Sequence, residues 1–289
     1  MNMGEITPQL LIKDSLQLFS LPDIYFQISE MISDPRFSVK DIGHVIGKDP
    51  ALSARLLKIV NSSLYGFQSR VDRVSRAVTI VGVEELKNLV LATSVVSKFN
   101  DIPTELVDMT DFWLRSVKCG LIAKFLAIEN SVLHQERLFL TGLLHNLGSL
   151  VFYYKLPNKS LQVLVAADHD RRLVGGLEQE IIGFNHAELG SVLIKSWGLP
   201  ESLFEAIGCY LQPELAQVHK LDAYLLNLAS RLTDLSLHSG SVEDVFAGYS
   251  DEAMSVLRLD VDQVNRVLQN ADEEFLQVFE LIAPDKRFH

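Results

Sequence analysis

Only two cysteines occur in 289 residues, Cys119 and Cys209. They build no disulfide framework, and no CxxC unit is present to hold zinc or run redox chemistry. Both stand among apolar neighbours, where a thiol packs as a small hydrophobe, and this usage fits a reducing cytoplasm. Cationic charge is also short, with 26 Lys and Arg against 37 Asp and Glu and a net charge of -11. Such a surface repels a polyphosphate backbone, which argues against nucleic acid as the partner, although a local basic patch can still hold a small phosphate ligand. No apolar run approaches the roughly 18–20 residues needed to cross a bilayer; Lys, Glu, Asn or Ser interrupt the longest ones. The opening "MNMGEITPQLLIKDSLQLF" has no basic run before an apolar core and is not read as a signal peptide. Proline and glycine are modest, at 9 and 16. No internal repeat, low-complexity tract or strand-like alternation is evident.

What the chain does have is apolar content, 48% of its residues, spaced helically almost throughout. "LPDIYFQISEMI" puts Leu21, Ile24, Ile28 and Met31 on one face. Ser38 followed by Asp41 marks a helix start. In "DPALSARLLKIVNSS" Asp49 caps a helix whose first turn accepts Pro50, with Leu52, Leu56, Leu57 and Val60 as the buried stripe. Two further helices flank Gly82. In "FWLRSVKCGLIAKFLAIE" the small residues Ser116, Cys119 and Ala123 line a stripe suited to close helix packing. "ERLFLTGLLHNLGSLVFYY" reads as one buried central helix, "DHDRRLVGGLEQEIIGFN" as a surface connection returning to a helix, and "HSGSVEDVFAGYS" as loop-like. A last helix starts at Asp260. The polar stretch "NDIPTELVDMTD" near Asn100 is the best internal boundary. The expected division is an N-terminal helical subdomain over 1–100, a core over 101–236 and a C-terminal helical extension over 237–289.

Several separate segments resemble one family in the right order. "LPDIYFQISEMISDPRFSVKDIGHVIGKDPALSARLLKIVNSSLYG" is similar to the opening of HDOD domains, and "FWLRS", "GLLHNLG", "IIGFNHAELG" and "WGLPESLFEAI" resemble their degraded HD-type core. The resemblance covers roughly residues 15–235. It implies an all-α fold, a multi-helix HD-domain-like bundle with an N-terminal helical subdomain. It also implies a bacterial signal-transduction protein that regulates or binds other proteins, derived from HD phosphohydrolases that have lost their metal site.

An HD-type hydrolase holds divalent ions with a histidine on one helix, an adjacent His-Asp pair on a second and an aspartate on a later one. The ions polarise a phosphate oxygen and acidify a bound water. By resemblance, the first position is Ser116 and the His-Asp pair is His145-Asn146. His186 matches an extra histidine of the related HD-GYP phosphodiesterases, whose next paired histidines fall at Cys209-Tyr210. The final aspartate is Asp234, or Asn227 in a shifted register. These positions are vestigial by this reading. Hard cations need carboxylate charge that imidazole and asparagine do not supply, so no metal, no cofactor and no catalytic residue is expected.

Each residue also has a plain structural reading. His145 on an apolar helix is ordinarily a hydrogen-bonded core histidine. His186 can cap its helix or bond Glu180, Asn146 can bond backbone or His145, and Ser116 packs. In the N-terminal half, Arg55 and Lys58 sit one helical turn apart beside Asn61 and Ser62, a group suited to an anion or a partner loop. The main expectation is a cytoplasmic, non-catalytic regulatory module whose partners are signalling proteins, receiver or cyclic-dinucleotide proteins among them. One alternative is a metal-dependent phosphohydrolase using His145 and His186 with Glu180 or Asp234. Another is a sensor that binds cyclic dinucleotides or other nucleotides near His145, Asn146 and His186 without turnover. The helical pattern leaves no segment for a fused receiver or cyclase, so input would come from a separate protein or ligand. The sequence does not give the oligomeric state.

Overall fold

A computed structural model describes residues 6–13, 19, 21–62, 65, 67, 70–100, 105–133, 135–237 and 240–283. Ser63, Gly66, His134 and residues 101–104 of the expected boundary lie outside them. Every regular element among the described residues is a helix. The chain forms two compact units, one of 1–20 with 102–271 and the other of 21–101 with 272–289. This differs from the expected three-part division.

The second unit contains α2 (Asp23–Ser33), α3 (Val39–Gly47), α4 (Pro50–Val60), α5 (Val74–Val81) and α6 (Val83–Asn100). Its helix starts follow the local chemistry. Ser38 and Asp41 form a reciprocal capping box on α3, and the Asp49 carboxylate accepts from Leu52 N at 3.0 Å with Pro50 in the first turn of α4. Ile28, Ile46, Leu56, Ile59 and Leu86 are fully buried in its core, each contributing roughly 1.5–3 kcal/mol by leaving water.

The first unit begins with α1 (Pro8–Lys13) and resumes with α7 (Met109–Glu129), α8 (Glu136–Leu144), α9 (Leu147–Lys155), α10 (Pro157–Ala167) and α11 (Arg171–Ile181). Then come α12 (His186–Ser196), α13 (Glu201–Cys209), a 3-10 turn at Pro213–Leu215, α14 (Lys220–Leu237), α15 (Val242–Ala247) and α16 (Asp251–Leu257). The last helix, α17 (Val261–Ile282), is capped by Asp260, which accepts from Gln263 N at 2.8 Å. The Trp197 indole donates to Phe19 O at 2.8 Å and ties the segment after α1 to the end of α12. Arg137 grips the buried Asp222 with two parallel bonds of 2.9 and 3.1 Å, joining α8 to α14.

Three segments differ from expectation. The central apolar stretch is two helices, broken at His145 and Asn146. Asn146 leaves helical geometry, and its side-chain oxygen accepts from Ser149 Oγ at 2.7 Å. The polar segment before His186 is largely helical, since Asp170 caps α11 by accepting from Arg172 N. The segment read as loop-like carries α15, started by a Ser241–Asp244 capping box.

The small residues of α7 do permit a close approach. Gly120 and the backbone of Cys119 make this approach. A Cβ on Gly142 of α8 would lie 2.6 Å from Gly120 Cα.

Candidate functional site

The break between α8 and α9 turns His145 inward, where it is buried. Its Nδ1 lies 2.6 Å from Gly142 O, one turn back. A carbonyl only accepts, so Nδ1 carries the proton and Nε2 keeps a lone pair. Burial pulls the His145 pKa down to about 4, opposed by the Gly142 bond and assisted by His186 and Arg171. His145 is therefore neutral at pH 7.

His186 opens α12 and is held from three sides. Its backbone N–H donates to Glu178 Oε2 at 2.8 Å, and its Nδ1 donates to the same oxygen at 2.5 Å. Its Nε2 accepts from the Tyr210 hydroxyl at 2.6 Å. Gly148 of α9 packs directly beneath: a Cβ there would lie 2.0 Å from His186 O, so only glycine lets α9 and α12 meet at this point. Glu178, His186 and Tyr210 are 2%, 5% and 3% exposed, which leaves almost no water to replace these bonds.

Tyr210 unites the two histidines. Its ring stands edge-on to His145, with centroids 5.3 Å apart at 85°, and 6.0 Å from His186. Burial, then the negative Glu178, push its phenol well above its usual range, so it remains a donor. Asn227 of α14 fixes the backbone behind it, donating to Tyr210 O at 2.8 Å, and the Tyr249 hydroxyl donates to Asn227 Oδ1.

The other expected positions lie apart from this chain of bonds. Asp234 pairs with Arg115 at 2.8 Å, and Arg115 and Arg171 both reach Asp111. Cys209 is half-buried, with its thiol pushed up by burial and then by Glu205. Asn146 is half-buried and bonded to Ser149. Ser116 is buried, and its hydroxyl has no protein partner. Glu180, the carboxylate considered for His186, is exposed; Glu178 takes that bond. Among the described residues no three His, Cys, Asp or Glu side chains come together as a group able to hold a metal ion.

In the second unit, Asn61 and Ser62 are committed to backbone. Asn61 Nδ2 donates to Leu57 O and Val71 O, its Oδ1 accepts from Val71 N, and Ser62 Oγ donates to Ile59 O. Arg55 and Lys58 have no partner among the described residues.

Glu178 is the site residue that sequence reasoning missed. It lies on α11, which the polar run DHDRR made look like a connection. The usable signal was Asp170 as a cap, followed by Val174, Leu177 and Ile181 at helical spacing, with Gly175 and Glu178 on the inner side.

The HDOD domain model matches residues 18–213, about two thirds of the chain. The chain belongs to the HDOD family. A protein of Treponema pallidum (strain Nichols), called uncharacterized, is 30% identical over 190 residues, which are 65% of this chain and 36% of that one. The chain thus spans about a third of the length of that relative. Among solved structures, an HDOD domain protein of unknown function from Geobacter sulfurreducens has a TM-score of 0.72 at 21% identity, covering 94% of this chain and 98% of that one. A protein from Shewanella amazonensis SB2B, provisionally called a phosphohydrolase, also gives 0.72 at 24% identity, with 94% and 96% covered. A provisionally named signal transduction protein from Marinobacter aquaeolei VT8 gives 0.70 at 22% identity, with 94% and 61% covered. These likenesses establish the fold, an all-α HD-like bundle. In this HDOD chain, His145 and His186 converge on a tyrosine.

Proposed function

We propose that this HDOD protein is a non-hydrolysing signalling module that acts by contact with other signalling proteins in the cytoplasm, receiver or cyclic-dinucleotide proteins among them. The observation that carries this reading is the Tyr210–His186–Glu178 chain. Both ring nitrogens of His186 are engaged in it, so a cation would have to displace a buried partner. His145 offers one neutral nitrogen, and Asp234 is neutralised by Arg115. Imidazole lone pairs without converging carboxylates hold hard cations poorly, and a nucleophilic water is not acidified without the cation. The bonds that Glu178, His186 and Tyr210 make to one another suit a scaffold more than a reaction centre.

The test is metal content and turnover together. Protein purified without chelator is expected to carry well under one equivalent of Mn, Fe, Zn or Mg and to leave bis(p-nitrophenyl) phosphate and cyclic dinucleotides intact. A stoichiometric ion with diester hydrolysis abolished by His145→Ala would establish the hydrolase reading instead.

A further inference from the structure

Residues 51–83 carry five basic side chains and one acidic, a local excess of +4 in a chain whose net charge is -11. Three of these cations stand out. Of the described arginines, Arg55, Arg70 and Arg76 alone have no partner among the described residues. The others each meet a carboxylate, a ring or a carbonyl. Arg70 and Arg76 are exposed, and Arg55 is half-exposed.

The fold gathers these residues. The Asn61 amide clamps both backbone groups of Val71, bringing the residues around Arg70 to the end of α4. Lys58 and Arg55 lie one and two turns back along α4, and Arg76 lies one turn into α5, which packs on α4. Between α4 and α5 in the chain, the exposed Phe67 ring stacks on Tyr65, with centroids 6.0 Å apart, and the Tyr65 hydroxyl is anchored on Glu85. Ile80 of α5 is exposed as well.

We infer that this α4–α5 surface docks an acidic protein segment that also carries apolar side chains. The inference rests on the signalling-module reading and names the surface and the chemistry of its partner. Unpaired guanidinium groups beside a fixed exposed aromatic are the composition of energetically important contacts. The Asn61 clamp holds the surface in shape before binding, which lowers the entropy lost on docking. Nucleic acid fits less well, because the acidic remainder of the chain repels an extended polyanion while a short carboxylate-rich segment need touch only this patch. A second copy of the chain fits less well too. Its acidic surface on this basic one would be a head-to-tail contact, which propagates unless the rotation closes a ring.

The test uses the full chain and a fluorescein-labelled peptide of Glu, Asp and Leu, about fourteen residues long, read by anisotropy at about 50 and 300 mM salt. Saturable binding is expected, at least tenfold weaker at the higher salt. It should also be at least tenfold weaker in R55Q/R76Q and within twofold of wild type in R172Q/K220Q, which loses the same charge elsewhere. Circular dichroism melts confirm that both variants are folded. Absence of binding, equal loss in both variants, tighter binding of a duplex DNA of similar length, or concentration-dependent self-association abolished by R55Q/R76Q would each overturn the inference. Turnover with peptide binding intact would overturn only the non-hydrolysing role; no turnover and no binding would overturn only this surface.

Discussion

Tyr210→Phe is the sharpest probe of the buried site. The exchange keeps the ring that packs edge-on against His145 and removes one oxygen. It leaves His186 Nε2 in a nearly dry interior with nothing to donate to it. An unsatisfied buried acceptor costs about 1–3 kcal/mol, against the small gain of a slightly more apolar ring. The loss is worked at the upper part of that range, because Tyr210 is 3% exposed and His186 5%. The assay is urea unfolding followed by circular dichroism at pH 7.5, reading the midpoint at constant slope. Glu178→Gln completes a double-mutant cycle across the imidazole. Since one ring carries both bonds, the two changes should be non-additive, by about 0.5 kcal/mol or more. A Tyr210→Phe loss below about 0.5 kcal/mol, or strict additivity with Glu178→Gln, would refute the reasoning, since neither result is compatible with a shared dry hydrogen-bonded chain.

Two further outcomes follow from the same region. His145 has a folded pKa of about 4 against an ordinary value near 6.5, so the unfolded chain binds its proton first. Its contribution is fully present above about pH 6.5 and is lost as pH falls through about 4, roughly 3 kcal/mol in all. His145→Gln should flatten the urea midpoint against pH across that window relative to wild type, and an unchanged slope would count against burial as the cause. Gly148→Ala forces a methyl against the His186 carbonyl and should cost about 3 kcal/mol or more in the same denaturation assay; a near-neutral result would mean that α9 and α12 separate easily.

Much of the fold was legible because helix signals are local. Asp49 with Pro50, Ser38 with Asp41, and Asp260 each start a helix where their side chains can reach the backbone N–H groups two or three residues on. The break at His145 was not legible. Apolar periodicity runs straight through it, and only the backbone geometry of Asn146 reveals the turn. Within the site, His145, His186 and Tyr210 came from the resemblance, and the structure brings them together. Glu178 was lost because charge density in 168–172 masked an amphipathic helix. Asn61 and Ser62 looked free to bind a ligand. Ser62 bonds back to Ile59 at the end of its own helix, whereas the commitment of Asn61 to Val71 spans ten residues, which no local pattern encodes. Arg70 and Arg76 were passed over for the converse reason, since the absence of an ion pair is visible only in three dimensions.

The tyrosine wedged against the two imidazoles also limits what a single exchange can do at this site. Exchanging Asn146 for aspartate would add one carboxylate, yet the phenol would still hold His186 and Arg115 would still neutralise Asp234. Each single exchange toward a metal-binding set meets a group that already holds its neighbour, so assembling such a set here requires several changes at once.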